Sequence, residues 1–198
     1  SASLSDLADR ALQAALEIAK RESGFETTTL TIIAMGKTGA QELNYISDVD
    51  VIFVAEPDEQ AGEDWLLQAT KVATLVMRTC HESLTEGSLW EVDAGLRPEG
   101  KDGPLVRSLE SFRTYYDRWA QNWEFQALLK ARAVAGDIEV GKRFINLAEE
   151  GIWRDRLDFV ENVQAMRKRV EENIPLKDAE RNIKLGIGGL RDVEFAVQ

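Results

Sequence analysis

Two apolar, β-branched runs, 28–35 and 49–55, flank a stretch that carries Gly36, Gly39, Ser47, Asp48 and Asp50. Such runs read as buried strands. Asp48 and Asp50 stand two apart, and the period of two along a strand sends both side chains to one side, a few ångströms from each other. Like charges so placed repel, and burial sharpens the repulsion. A divalent cation that neutralises both removes the conflict. Oxygen-only ligands at the edge of a strand suit Mg²⁺, which takes one or two carboxylates together with substrate phosphates.

Before this stretch, residues 5–22 read as an amphipathic helix with Ser5 or Asp6 as N-cap and an apolar stripe of Leu7, Ala11, Leu12, Ala15, Leu16, Ile18 and Ala19. The turn Gly36-Lys37-Thr38-Gly39 invites a phosphate-loop reading of the Walker A type. That motif needs a glycine where this chain has Thr31, and a helix where a second strand arrives within about ten residues. A glycine turn followed by an acidic strand better suits nucleotide phosphates that meet backbone N–H groups and are bridged to carboxylates by metal.

Residues 62–84 read as a long helix burying Trp65, Leu66, Ala69, Val72, Ala73, Val76 and Met77. His81, near its end, is the only histidine, so Ser-His-Asp, Cys-His and His-based zinc sites are excluded within this chain. Residues 88–93 read as a short strand that ends at Asp93, a natural third carboxylate beside Asp48 and Asp50, just before a glycine loop carrying Arg97. Beyond residue 108 the pattern is helical: 109–119 with Ser108 as N-cap, 123–133, 137–150 and 158–173. Trp119, Trp123 and Phe125 read as core. Residues 182–185 read as a last short strand before a glycine turn and a helix starting near Leu190.

With 198 residues, the chain is one large domain or one and a half, and 44% hydrophobic content supports a real core. Its 24 Lys and Arg against 35 Asp and Glu give a net charge of −11, a poor match to a nucleic-acid or membrane surface. No apolar run approaches the ~18 residues of a membrane span. The single Cys80 leaves no internal disulfide and fits a reducing cytoplasm. The chain stops inside an apolar, helix-like segment with no C-cap signal, and reads as a piece of a longer protein.

Four blocks, in order, resemble the glutamine synthetase adenylyltransferase/adenylyl-removing enzyme family, of the polymerase-β-like nucleotidyltransferase superfamily. They are Gly36-Lys37-x-Gly39-x-x-Glu42-Leu43-Asn44-x-x-Ser47-Asp48-Val49-Asp50, Val92-Asp93-x-x-Leu96-Arg97-Pro98, Trp123-Glu124-x-x-Ala127-Leu128-x-Lys130-Ala131-Arg132, and Ile183-Lys184-Leu185-Gly186-x-Gly188-Gly189-Leu190-Arg191-Asp192-x-Glu194-Phe195. The likeness runs from about residue 28 to the end, and its wording is closest to the actinobacterial branch. It implies an α+β fold: a small mixed sheet with helices, 1–107, as the catalytic core, and a mainly helical continuation of the same domain, 108–198.

The resemblance also implies a chemistry. Family enzymes carry two such domains. The N-terminal one removes AMP from a tyrosine of glutamine synthetase by phosphorolysis, yielding ADP, and the C-terminal one attaches AMP from ATP. The block at 183–189 resembles the AMP-removing version. Asp48, Asp50 and Asp93 would then hold two Mg²⁺ ions. Gly36 and Gly39 would let the backbone approach phosphate, Lys37 and Ser47 would add contacts, and Arg97, Lys130 and Arg132 would hold inorganic phosphate. Lys130 and Arg132, two apart on a helix, cannot share one face, which leaves at least one a structural role. Glutamine synthetase and, through the longer enzyme, a PII-type signalling protein are the implied partners. Two positions depart from the pattern. Gly95 stands where many members have arginine, which passes its role to Arg97 or elsewhere, and Lys37 stands where many superfamily members have serine. The alternatives are the adenylylating half and a nucleotide-binding regulatory domain without turnover. Plainer readings are exposed strand-end carboxylates for Asp48 and Asp50 and turn chemistry for Asp93.

Overall fold

A computed structural model gives the fold and describes residues 2–25, 29–59, 61–81, 89–154, 159–172 and 182–197. Residue 28 of the first expected strand, 82–84 of the expected helix 62–84, residue 88, and both ends of the expected helix 158–173 lie outside the described residues.

The two apolar runs form β1 (Thr29–Ala34) and β2 (Val49–Glu56), paired antiparallel from Thr29↔Glu56 to Ala34↔Val51. Two short strands, β3 (Val92–Asp93) and β4 (Val106–Arg107), pair with β2 in parallel. On the far side of β1 lies β5 (Arg132–Gly136), antiparallel to it. The result is a small mixed sheet of five strands in the order β3-β2-β1-β5, with β4 also on β2.

Helices cover both faces of the sheet. Leu30, Ile32, Val49, Val51, Phe53 and Ala55 join a core with helices α1 (Ala2–Ser23) and α3 (Trp65–His81). Ile33, Met35, Ile52 and Val54 join a second core with α4 (Leu109–Arg118), α5 (Asn122–Leu128) and α6 (Ile138–Ile152). Burial on both faces is why the strands read as unbroken apolar runs instead of alternating ones. The second core is aromatic: Phe112 and Phe144 meet edge to face at 5.0 Å between ring centroids.

The expected cap is met: Ser108 caps α4, accepting from the Ser111 amide at 3.1 Å. Asp137 caps α6 in the same way through Val140 N at 2.9 Å. α7 (Phe159–Glu172) and α8 (Leu190–Val197) complete the described helices.

Other expectations are corrected. α1 begins before Ser5, which is buried inside it and accepts from Leu43 N at 3.3 Å, so it is not an N-cap. The buried stripe is Ser5, Ala8, Leu12, Ala15, Leu16 and Ala19, while Leu7 and Ile18 are exposed. Gly36–Gly39 is a one-turn helix, α2. The helix expected over 123–133 stops at Leu128, and Arg132 and Ala133 belong to β5, where pairing with β1 and the Thr31 hydroxyl on Ala135 O (3.1 Å) override helix propensity. Of the three aromatics expected in the core, Phe125 is buried, whereas Trp119 and Trp123 are exposed at 57% and 41%. Residues 182–185 form a turn, because the Asn182 side chain accepts from the amides of Lys184 and Leu185. No helix among the described residues is long and apolar enough to cross a membrane.

Arg132, at the head of β5, fastens α1 and α2 to the sheet. Its guanidinium donates to both Asp9 carboxylate oxygens, at 2.6 and 3.1 Å, and to the carbonyls of Thr38 (3.1 Å) and Gly39 (3.2 Å). Arg132→Met leaves the Asp9 charge, largely covered, without its partner. It is expected to cost about 1–3 kcal/mol in a denaturant titration, and an unchanged midpoint would refute this fastening role.

Candidate active site

The parallel register of β2 and β3 sets Asp50 directly opposite Asp93, so the two side chains leave the same face of the sheet. Asp50 is the one charged residue between Val49 and Ala55 of β2 and shares its side with Ile52 and Val54. Asp48, two residues earlier and just ahead of the strand, is exposed. Burial pushes the Asp50 carboxyl up to about 6, with added repulsion from Asp93 and Asp48, and the ammonium groups of Lys184 and Lys37 partly offset this. Five charged side chains thus share one electrostatic neighbourhood centred on Asp50.

Gly36 sits at φ +52°, and a Cβ there would lie 2.5 Å from Asp50 Oδ2. Only glycine both adopts this conformation freely and lets the backbone come so close to the carboxylate. The preceding amide, Met35 N, donates to Asp50 O at 2.9 Å and locks the turn to β2. Lys37 Nζ donates to Ser47 Oγ at 3.1 Å, and that hydroxyl donates to Asn44 Oδ1 at 2.8 Å. The Asn44 side chain also accepts from Ile46 N (3.2 Å), an Asx turn that presents Ser47 and Asp48. Asn44 lay within the family block, yet its ordering role is visible only from these bonds.

The structure therefore brings together Gly36, Lys37, Ser47, Asp48, Asp50 and Asp93. It engages the other expected residues elsewhere. Gly39 donates its amide to Met35 O at 2.8 Å, and a Cβ on it would run into the carbonyls of Lys130 and Ala34, so it serves backbone packing. Arg97 donates to the carbonyls of Ala94 (2.8 Å), Lys101 (3.0 Å) and Gly103 (3.1 Å), closing its own loop. Arg132 fastens Asp9, as described. Lys130 Nζ pairs with Glu194 at 2.9 Å and Glu42 at 3.4 Å. Burial disfavours this ammonium, but the hydrogen bonds and charges of the two glutamates outweigh it and raise its pKa. Gly95 donates its amide to Asp93 Oδ1 at 2.7 Å. Glu124 is buried and accepts from Gln121 N (2.9 Å) and the Tyr115 hydroxyl (3.2 Å). His81 is exposed at the end of α3.

Among the described residues, no group of three or more His, Cys, Asp and Glu side chains forms a ready metal-binding cluster. The Asp50–Asp93 pair still has the donor chemistry of a hard-cation site: all oxygen, anionic, and with one carboxyl raised by burial and by its neighbours. Asp48 stands beside this pair and adds to its field.

Residues 1–147 match the family profile described as glutamate-ammonia ligase adenylyltransferase, and residues 164–198 match that described as GlnD PII-uridylyltransferase. The chain is 57% identical over 202 residues to the bifunctional glutamine synthetase adenylyltransferase/adenylyl-removing enzyme of Mycolicibacterium smegmatis, an alignment covering 100% of this chain and 20% of that protein. It is 54% identical over 202 residues to the protein of that name from Streptomyces avermitilis (100% and 20% covered), and 54% over 203 residues to that from Bifidobacterium longum (98% and 19%). It thus spans about a fifth of the length of these curated relatives.

The crowded carboxylates set a pH dependence. Asp50 binds its proton more readily folded than unfolded, so between 3.8 and about 6 the folded state holds more protons, and stability falls as pH rises through that window. In metal-free buffer Asp50→Asn is expected to stabilise the protein at pH 8, on the order of 1–3 kcal/mol, with the gain fading towards pH 4. Denaturant midpoints at both pH values check this; an equal effect at pH 4 and pH 8 would contradict it.

Proposed function

Because the chain belongs to the glutamate-ammonia ligase adenylyltransferase family, we propose that it is the nucleotidyl-transfer domain that removes AMP from an adenylylated tyrosine of glutamine synthetase. The observation that carries this reading is the Asp50–Asp93 pair on neighbouring strands, with the Gly36 backbone against Asp50 and the Lys37 and Lys184 ammoniums in its field. Such an array suits a phosphate-bearing ligand and a divalent cation. The likeness of the 183–189 block to the AMP-removing half supports the direction. Residues 1–107 form the proposed core and 108–198 its continuation, supported by β5 joining the same sheet as β1 and β2.

In the proposed reaction an oxygen of inorganic phosphate attacks the phosphorus of tyrosyl-AMP. The new P–O–P bond makes ADP, the bond to the tyrosyl oxygen breaks, and the phenol oxygen takes up the proton given up by hydrogen phosphate. Asp50 and Asp93, with Asp48, would hold Mg²⁺, which when bound supplies charge neutralisation for phosphate oxygens and the leaving oxygen. Lys37, oriented by Ser47, would contact the nucleotide phosphate. Gly36 keeps space for these groups beside Asp50. A cytoplasmic setting and regulation through a PII-type protein complete the proposal.

The test uses the full-length protein with adenylylated glutamine synthetase, inorganic phosphate and Mg²⁺. ADP should form, and both Asp50→Asn and Asp93→Asn should slow its formation by at least about 100-fold. AMP transfer from ATP without phosphorolysis would reverse the direction. Full activity in both variants would overturn the carboxylate roles.

A further inference from the structure

The turn that leads into Asp48 carries two side chains that the chemistry at Asp50 and Asp93 does not use. Ser47 N donates to Asn44 O at 3.3 Å, which makes Tyr45 and Ile46 the two corner residues of a hydrogen-bonded turn. Such corners ordinarily carry Gly, Pro, Asn, Asp or Ser, and isoleucine, being β-branched, suits a strand. Here both corners are large and apolar, and both stand almost wholly in water: Tyr45 is 92% exposed and Ile46 97%. Neither belongs to the core on either face of the sheet. Apolar residues scattered singly over a surface need no explanation; two side by side at a turn corner, next to a reactive site, do.

The turn is fixed from both ends. Leu43, just before it, is fully buried, and its amide donates to Ser5 Oγ at 3.3 Å. Val49, just after it, is buried too, and its amide donates to Glu91 O at 2.9 Å. Within the turn Asn44 Oδ1 accepts from Ile46 N and from Ser47 Oγ, and Lys37 Nζ donates to Ser47 Oγ. Side chains on a backbone so tied bind a partner with little further loss of chain freedom.

The chain itself bounds their distance from the reaction. An extended residue spans at most about 3.6 Å, so Ile46 lies within about 7 Å of Asp48 and Tyr45 within about 11 Å, Cα to Cα. A protein that presents a modified tyrosine to this site must cover the surface around it. The usual contact of about 800 Å² per partner is a disc of about 16 Å radius, and one centred on Asp48 includes the turn corner. A water-exposed corner suits such a partner better than it suits a nucleotide base, because small-molecule sites are concave. Two side chains also offer only on the order of a few hundred Å², well short of the roughly 1,200 Å² that a stable complex of two copies needs. A substrate protein is held in addition by its nucleotide in the site.

We propose that Tyr45 and Ile46 are a docking contact for the protein that carries the tyrosyl-AMP, packing against apolar surface beside the modified tyrosine. This deepens the reading above and rests on it for the identity of the substrate.

The closing experiment measures binding of adenylylated glutamine synthetase to the immobilised full-length protein by surface plasmon resonance, with Mg²⁺ and without phosphate, so that no phosphorolysis intervenes. Tyr45→Ser and Ile46→Ser put a turn-favouring residue at each corner and should leave the melting temperature unchanged, since neither side chain is packed. Each should weaken binding by about 10-fold or more, and Tyr45→Phe, which keeps the ring, should bind within about threefold of wild type. ADP with Mg²⁺, followed by calorimetry, should bind the serine variants as it binds wild type; a parallel loss would make the corner part of the nucleotide site and overturn the proposal. Equal binding of glutamine synthetase by wild type and both serine variants, or none by wild type, also overturns it, and ADP formed on adding phosphate would then leave the removal reaction standing without this contact. Self-association of wild type that the serine variants lose would assign the corner to a second copy of this chain instead. Binding that depends on both corners, in a protein that forms no ADP from phosphate, would sustain the contact and sink the removal reaction.

Discussion

An ionised carboxylate inside a doubly covered strand is the constraint on which this site depends. β2 is apolar from Val49 to Ala55 except at Asp50, and the parallel register of β3 adds Asp93 beside it. Neither burial nor the neighbouring carboxylate favours the charge, and the Asp50 carboxyl rises to about 6 as a result. A sheet assembled for stability alone would place valine or isoleucine there. The surroundings are consistent with that tension: glycine at position 36 gives the carboxylate room, and two lysines from distant parts of the chain reach into its field.

The sequence made part of this legible. The β1 and β2 runs and Asp93 at the end of a short strand follow from apolar patterning and turn chemistry, which are local properties, whereas Asp48, expected on the strand with Asp50, stands just ahead of it. What it hid is long-range. Arg97, Lys130 and Arg132 look alike on the page, as basic residues near family motifs. Their partners are set by the fold: Asp9 lies 123 positions from Arg132, and Glu194 lies 64 from Lys130. β5 was hidden for the same reason, because nothing within 132–136 signals the β1 edge that recruits it. Trp119 and Trp123 show the reverse case, where an average tendency to burial yields to their position at the junction between α4 and α5.

The C-terminal segment changes how the two parts of the chain relate. Residues 182–197 are far from β2 in sequence, yet Lys184 acts on Asp50 and Glu194 on Lys130. Arg167 holds this segment by bonds to main-chain carbonyls as well as to Asp192, so the identity of the turn's side chains matters less than its path. This leaves exposed positions such as Ile183 and Ile187 outside the fastening, while Gly189, whose Cβ would meet the carbonyls of Ile183 and Gly186, is fixed by packing.

Net charge would seem to set this chain against phosphate: at −11 it should repel an anion. Screening resolves the conflict. At physiological ionic strength exposed charges beyond about 8 Å are largely damped, so the groups around Asp50 govern what enters. Those are three carboxylates and two ammoniums, Lys37 held by Ser47 and Lys184 held through its backbone. Such a neighbourhood still carries an excess of one negative charge. Electrostatics alone would therefore let such a neighbourhood favour a phosphate only if a cation entered with it.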